Sequence, residues 1–173
     1  RVGGNVPAGK IALNDTATAI VEDATLSLDD LATKLAGFAG SYDITAATAV
    51  TGSTTNVKDV FVTSTKHSFD AAVTVEYTGA AGQYDPAEVN DVIAKVASVN
   101  ATLFTSFQGS PDELQALVDN KSNSKVSINT ANLAFEATDA LSVSTANALD
   151  ALTAGGGVVT AAVSAGATDL ATL

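Results

Sequence analysis

The chain has no cysteine, no methionine and no tryptophan, only three prolines, and aromatic residues make up just 5% of its 173 positions. The missing thiol removes disulfides, thiolate nucleophiles and thiolate metal sites together. It says little about compartment, because many secreted bacterial proteins also lack cysteine. Basic residues are scarce as well: eight Lys and Arg stand against nineteen Asp and Glu, a formal net charge of −11. Such a surface repels phosphate backbones and anionic headgroups, so nucleic acid is excluded as a natural partner. No run approaches the roughly 20 apolar residues that a membrane-spanning helix needs. The opening "RVGGNVPAGK" lacks the apolar core of a signal peptide, so the chain reads as mature or excised.

What remains is a chain that is 46% hydrophobic, mostly Ala, Val and Leu. That is enough to bury the core of one ordinary domain or an equivalent stretch of repeats. Small and branched side chains suit thin, regular layers.

Six alternating runs align on Val21, Val50, Tyr77, Phe107, Phe135 and Val163, at intervals of 29, 27, 30, 28 and 28 residues. Gly52, Gly109 and Gly166 lie 57 apart twice over. The pattern implies a double repeat, with approximate units 11–67, 68–124 and 125–173 inside a single repeat domain 1–173. After Val50, Phe107 and Val163 the next helix-type residue (Val57, Leu114, Leu170) follows seven positions later. After the other anchors a longer stretch precedes "LDDLATKLAGF" (28–38), "PAEVNDVIAKV" (86–96) and "STANALDALTAG" (144–155).

The runs "DITAATAV" (43–50) and "FDAAVTVEY" (69–77) alternate with period 2 and read as strands. The segments after the anchors switch to spacings of three and four, as in Val89, Val92, Ile93 and Val96, and read as short helices. Ser110-Pro111 and Asp85-Pro86 place a capping side chain before a proline at the first helical position, with acidic residues in the first turn. Gly-Ser pairs at strand exits are expected to supply positive φ at tight corners.

Strand and helix alternating with short crossovers imply parallel pairing. The expected fold class is therefore α/β, a solenoid of about six strand–helix coils with a parallel sheet, in which Val50, Phe107 and Val163 stack in register. A compact α/β or α+β domain is the alternative.

No catalytic or cofactor-binding residue emerges. His67, the only histidine, neighbours Ser68 and Asp70, but no Gly-x-Ser-x-Gly elbow accompanies them and the trio reads as a solvated turn. Asp15, Glu22, Asp23, Asp29 and Asp30 crowd the first coil, and calcium is the ion such a group would take. No Asp-x-Asp-x-Asp-Gly loop or Gly-Gly-x-Gly-x-Asp repeat is present, and helix-start capping by Asp29 with solvation of the rest accounts for them. The Gly-rich "AGGGVV" (154–159) precedes a strand, where phosphate loops follow one, and reads as a helix C-terminal cap and entry corner. The acceptor triplets Asn14-Asp15-Thr16, Asn100-Ala101-Thr102 and Asn120-Lys121-Ser122 carry no assigned function.

At "LSVSTANALDALTAGGGVVTAAVSAGATDLATL" (141–173) a small-residue helix, a "GVVTAAVS" strand and an "ATDLATL" restart follow one another. This text resembles the repeat units of very large secreted bacterial proteins, especially cyanobacterial cell-surface and haemolysin-type repeat proteins. The resemblance implies a surface-layer, adhesive or filament-like role outside the cell, without catalytic residues. An unpaired parallel edge invites further pairing, so the leading expectation is a non-enzymatic structural module that associates with like modules. The alternative is a carbohydrate- or surface-binding adhesin module presenting hydroxyls such as those of Thr45 and Thr160. An enzyme ranks last, for want of convergent titratable groups.

Overall fold

The computed structural model describes residues 18–38, 40–131, 133–153, 156–166 and 169. The fold is α/β, with three parallel sheets and five α-helices among the described residues. Contacts divide the chain into two compact units, residues 1–79 with 95–99, and residues 80–94 with 100–173.

In the first unit β1 (Thr18–Ile20), β3 (Ser41–Asp43) and β5 (His67–Ser68) pair side by side in parallel, with Ala19 opposite Tyr42 and Tyr42 opposite His67. A second ladder joins β2 (Thr25–Ser27), β4 (Ala49–Gly52) and β6 (Thr74–Tyr77), placing Leu26, Val50 and Val75 in one row. Partners in these rows are 23 to 25 residues apart. Helix α1 (Leu28–Lys34) follows β2 directly, and α2 (Thr54–Lys58) follows β4 after the single residue Ser53. Val50, Val57, Val75 and Leu28 are all at most 2% exposed and build the interior of this unit.

In the second unit β7 (Gln83–Tyr84), β9 (Ser106–Gly109), β11 (Ala134–Ala137) and β12 (Val158–Thr160) form one parallel sheet, with Tyr84, Phe107, Phe135 and Val159 in a row. Helices α3 (Pro86–Ile93), α4 (Pro111–Ser122) and α5 (Val143–Leu152) pack in succession, α3 on α4 and α4 on α5. The Phe107 and Phe135 rings stack with centroids 6.0 Å apart, and both side chains are buried with Leu114, Leu117 and Leu149. Each such side chain stabilises the fold by roughly 1.5–3 kcal/mol through apolar area removed from water.

The helix starts follow the capping chemistry read from the sequence. Ser110 accepts from the Glu113 N–H while the Glu113 carboxylate accepts from the Ser110 N–H at 2.7 Å, a complete capping box. Asp85 accepts from Ala87 N–H at 2.8 Å ahead of Pro86. Ser27 and Ser142 cap α1 and α5 in the same manner.

Three expectations are corrected. The alternating runs are not single strands: "DITAATAV" breaks after Asp43, whose carboxylate accepts both the N–H and the hydroxyl of Thr45, at 3.1 and 2.8 Å. Asp70, Asn100 and Asn129 turn the chain likewise by accepting the N–H two residues on. Two short strands therefore precede a helix where one long strand was expected. This holds also for β8 (Ser98–Ala101) before β9 and β10 (Val126–Ile128) before β11.

The expected stacking of Val50, Phe107 and Val163 is overturned as well. Val50 sits in β4 opposite Leu26 and Val75, Phe107 sits in β9 opposite Tyr84 and Phe135, and Val163 makes an isolated parallel bridge to Leu141. The periodic anchors mixed strands of different ladders, because a helix-terminated run and a turn-terminated run look alike in an Ala/Thr/Val-rich chain.

Thirdly, Gly52 and Gly109 do not have positive φ. Both end a strand just before a serine cap, and both are glycine because a helix start lies against them. A Cβ on Gly52 would come 3.1 Å from Leu28 Cβ, and one on Gly109 would come 2.5 Å from Pro86 Cγ. Gly166 has no such neighbour, so it is not their equivalent. Leu170, the helix residue expected after Val163, lies outside the described residues.

Candidate functional site

Parallel register decides where the only histidine goes. Because β3 and β5 are neighbours with Tyr42 opposite His67, their rings stack at 4.4 Å with planes 4° apart, and Phe38 stacks on Tyr42 at 5.6 Å. The His67 side chain is 5% exposed. Its Nε2 lies 3.7 Å from Asp59 Oδ2, and its Nδ1 is buried with no hydrogen-bond partner. Burial pushes the imidazole below its ordinary value of 6.5, against the pull of the Asp59 charge, so the ring is neutral at pH 7. The Tyr42 phenol is raised, first by burial and then by Asp59.

Asp59 closes α2 with helical φ and ψ, its N–H donating to Thr55 C=O. After α2 the backbone widens into a π-turn over Asp59–Thr63, closed by Ser64 N–H donating to Asp59 C=O at 2.9 Å. Such turns interrupt the regular helix and occur disproportionately at functional sites. Beside them opens a cleft of about 220 Å³ walled by α1, by the residues after it as far as Phe38, and by Tyr42, Asn56, Asp59 and Val60.

Ser68 and Asp70 do not join His67. Ser68 is the next residue along the strand and is exposed, its carbonyl accepting from Ile44 N–H, while the Asp70 carboxylate turns the chain at Ala72. The carboxylate that does approach His67 is Asp59, which sequence proximity did not suggest.

The acidic residues of the first coil separate in the same way. Asp15 lies outside the described residues, and Glu22, Asp23 and Asp30 are exposed. Asp29 does not cap α1, a role taken by Ser27. Its carboxylate instead accepts the N–H of Ser53 (3.0 Å), the Ser53 hydroxyl (2.7 Å), the Asn56 amide (2.6 Å) and the Thr78 hydroxyl (3.1 Å). Burial raises its pKa, but the bonds from Ser53, Asn56 and Thr78 together outweigh that and hold the carboxyl below 3.8. One carboxylate thus ties the turns that carry α1, α2 and β6. Its acceptor capacity is filled by protein donors, which leaves little for an ion. No three carboxylate or imidazole groups converge as metal ligands among the described residues.

Of the acceptor triplets, Asn14-Asp15-Thr16 is outside the described residues. Asn100 uses its side-chain oxygen to hold Thr102 in the corner after β8, and Asn120 donates to Asn90 between α4 and α3. In "AGGGVV", Ala154 and Gly155 are outside the described residues, and Gly157 precedes β12. Thr45 spends its hydroxyl on Asp43. Thr160 is exposed on β12, opposite Glu136.

The last feature is at strand edges. β1 and β12 each have one neighbour within their sheets, and they carry two of the three large hydrophobic side chains exposed among the described residues, Ile20 (45%) and Val158 (58%).

Comparison of the chain with protein-family models, curated proteins and solved structures returns no match.

Proposed function

We propose that this chain is a non-enzymatic structural module of an extracellular surface assembly, in which parallel turns wind as a solenoid and associate with like modules. The observation that carries this reading is the pair of terminal parallel strands that have a single neighbour among the described residues. Among the described residues β1 and β12 each have one strand neighbour and carry the exposed Ile20 and Val158, an arrangement suited to a further parallel strand that buries these side chains. The winding is supported by pairing between residues 23 to 28 positions apart in every ladder whose register is described. It is supported too by the strand, cap and helix step shared by β4–α2 and β9–α4, each with its glycine against an earlier helix start. The likeness of residues 141–173 to bacterial surface repeats points the same way and is the basis for placing the module outside the cell.

Sedimentation velocity over a wide concentration range tests the reading. Wild-type protein is expected to associate as concentration rises, and Val158→Lys and Ile20→Lys to weaken that association while leaving circular dichroism unchanged. A wild-type protein that stays monomeric at the highest concentration contradicts it.

A carbohydrate-binding role has one observation in its favour. Gln108, Glu136 and Thr160 stand in register as an exposed row on the second unit's sheet, with Gln83 donating to Glu136 at 3.2 Å. Such a row of amide, carboxylate and hydroxyl groups suits sugar hydroxyls. A glycan array on which wild type binds and a Glu136→Ala, Thr160→Ala double variant does not would establish it, and an array without binding removes it.

A further inference from the structure

The cleft beside α1 has a chemical character that the structural role does not use. Its floor and sides are aliphatic, from Leu28, Leu31, Leu35 and Val60, with Ala32 and Ala36 leaving space where larger side chains would close it. Phe38 and Tyr42 add aromatic surface. None of the lining residues is basic.

The polar side chains of the lining are Asp59, Asn56 and Tyr42. Asp59 brings a carboxylate whose described partner is a neutral imidazole 3.7 Å away. Asn56 donates one amide hydrogen to Asp29 and keeps its second N–H and its Oδ1 acceptor. The Tyr42 oxygen can accept as well. A site with one carboxylate, further acceptors, aromatic faces and no basic lining residue is complementary to a cation that carries apolar bulk, and it opposes anions. The volume, about 220 Å³, is below the roughly 300 Å³ at which drug-sized pockets begin, which limits the occupant to a small molecule.

We infer that this cleft is a binding site for a small hydrophobic organic monocation, an alkyl- or arylammonium ion, whose charged head meets Asp59 and whose tail lies against Leu31, Leu35 and Phe38. Asp59 closes α2 in regular helical geometry, and the π-turn that begins there carries Val60, which lines the cleft beside it.

The test is a titration of the intact chain, followed by amide chemical shifts, with phenethylammonium chloride and, separately, with its neutral counterpart 2-phenylethanol. Saturable shifts centred on residues 28–38 and 56–60 are expected for the cation, with the alcohol about tenfold weaker. Asp59→Asn is expected to weaken the cation about tenfold and leave the alcohol unchanged. Ala32→Phe, which alters no charge, is expected to weaken both. Equal affinity for cation and alcohol, an unaltered response in Asp59→Asn with its circular dichroism intact, or no saturable shift up to about 20 mM cation would each overturn the inference.

Discussion

The two units repeat the same step of strand, capping residue and helix, but they tie their parallel strand–helix segments together by different chemistry. In the first unit one carboxylate, Asp29, gathers donors from Ser53, Asn56 and Thr78, residues 24 to 49 positions further along. In the second the part-buried stitches are neutral, and a carboxylate tie from Gln83 to Glu136 is exposed. Asn90 donates to Glu113 C=O and accepts from Asn120, and the Thr145 hydroxyl donates to Gln115. The aromatic ladders differ too: Phe38, Tyr42 and His67 stack at the side of the first unit, whereas Phe104, Phe107 and Phe135 are buried in the second. Parallel pairing leaves open which side chains tie one strand–helix segment to the next. That choice decides how stability responds to pH and to substitution.

The comparison can be tested first where apolar burial is deepest. Phe107→Ala, which empties the centre of the second unit's ladder, is expected to cost about 3–5 kcal/mol in urea denaturation. His67→Ala in the first unit's ladder removes a ring whose burial leaves Nδ1 unpaired, and is expected to cost much less. Comparable losses would mean that the two ladders contribute alike.

The ties come next. Asp29→Ala strands several part-buried donors at once and is expected to cost about 1–3 kcal/mol, whereas Gln115→Ala removes the part-buried neutral bond from Thr145 and an exposed one to Asp119, together worth roughly 0.5–1.5 kcal/mol. The same denaturation measurement ranks the two, and a reversed order would break the contrast between charged and neutral stitching.

The paired glycines sharpen it further. Gly109→Ala drives a methyl into Pro86 and is expected to destabilise by about 1–3 kcal/mol, while Gly52→Ala, which meets Leu28 less closely, is expected to cost about 1 kcal/mol or less.

The smallest effect is that of pH. A buried neutral His67 binds fewer protons folded than unfolded, so stability is complete above its unfolded value near 6.5 and declines as pH falls below it. Asp29, with its folded value below 3.8, adds stability above that pH which is lost as pH falls through the lower value. His67→Gln is expected to flatten the stability profile between about pH 7 and 5 while leaving the Asp29 step in place.

Much of this architecture was legible in the sequence, though not its register. The α/β class and parallel pairing followed from alternating periodicities. The helix starts at Pro86 and Pro111 followed from Asp85 and Ser110, because capping is local chemistry. Gly52 and Gly109 were paired correctly for the wrong reason: the space they leave is required by residues 24 and 23 positions earlier, which a reading of local backbone preference does not see. The corners went unread although they had a signal. Asp43, Asp70, Asn100 and Asn129 recur at 27, 30 and 29 residues, and each binds the N–H two residues on. They were hidden inside runs whose alternation continued across the turn.

The candidate site was the least legible part. Tyr42 and His67 meet only because β3 and β5 are neighbours, and Asp59 reaches them from the end of α2, a pairing with no local signature. Asp29 attracted attention as an acid in a cluster, but its partners on two later turns could not be known before the turns were paired.

The central claim is that successive turns lie in parallel register, and cross-strand nuclear Overhauser contacts test it most directly. The account predicts contacts from Val50 to both Leu26 and Val75, and from Phe135 to both Phe107 and Val159. Their absence, or a shift of either row by one residue so that these side chains leave the interior, would contradict it.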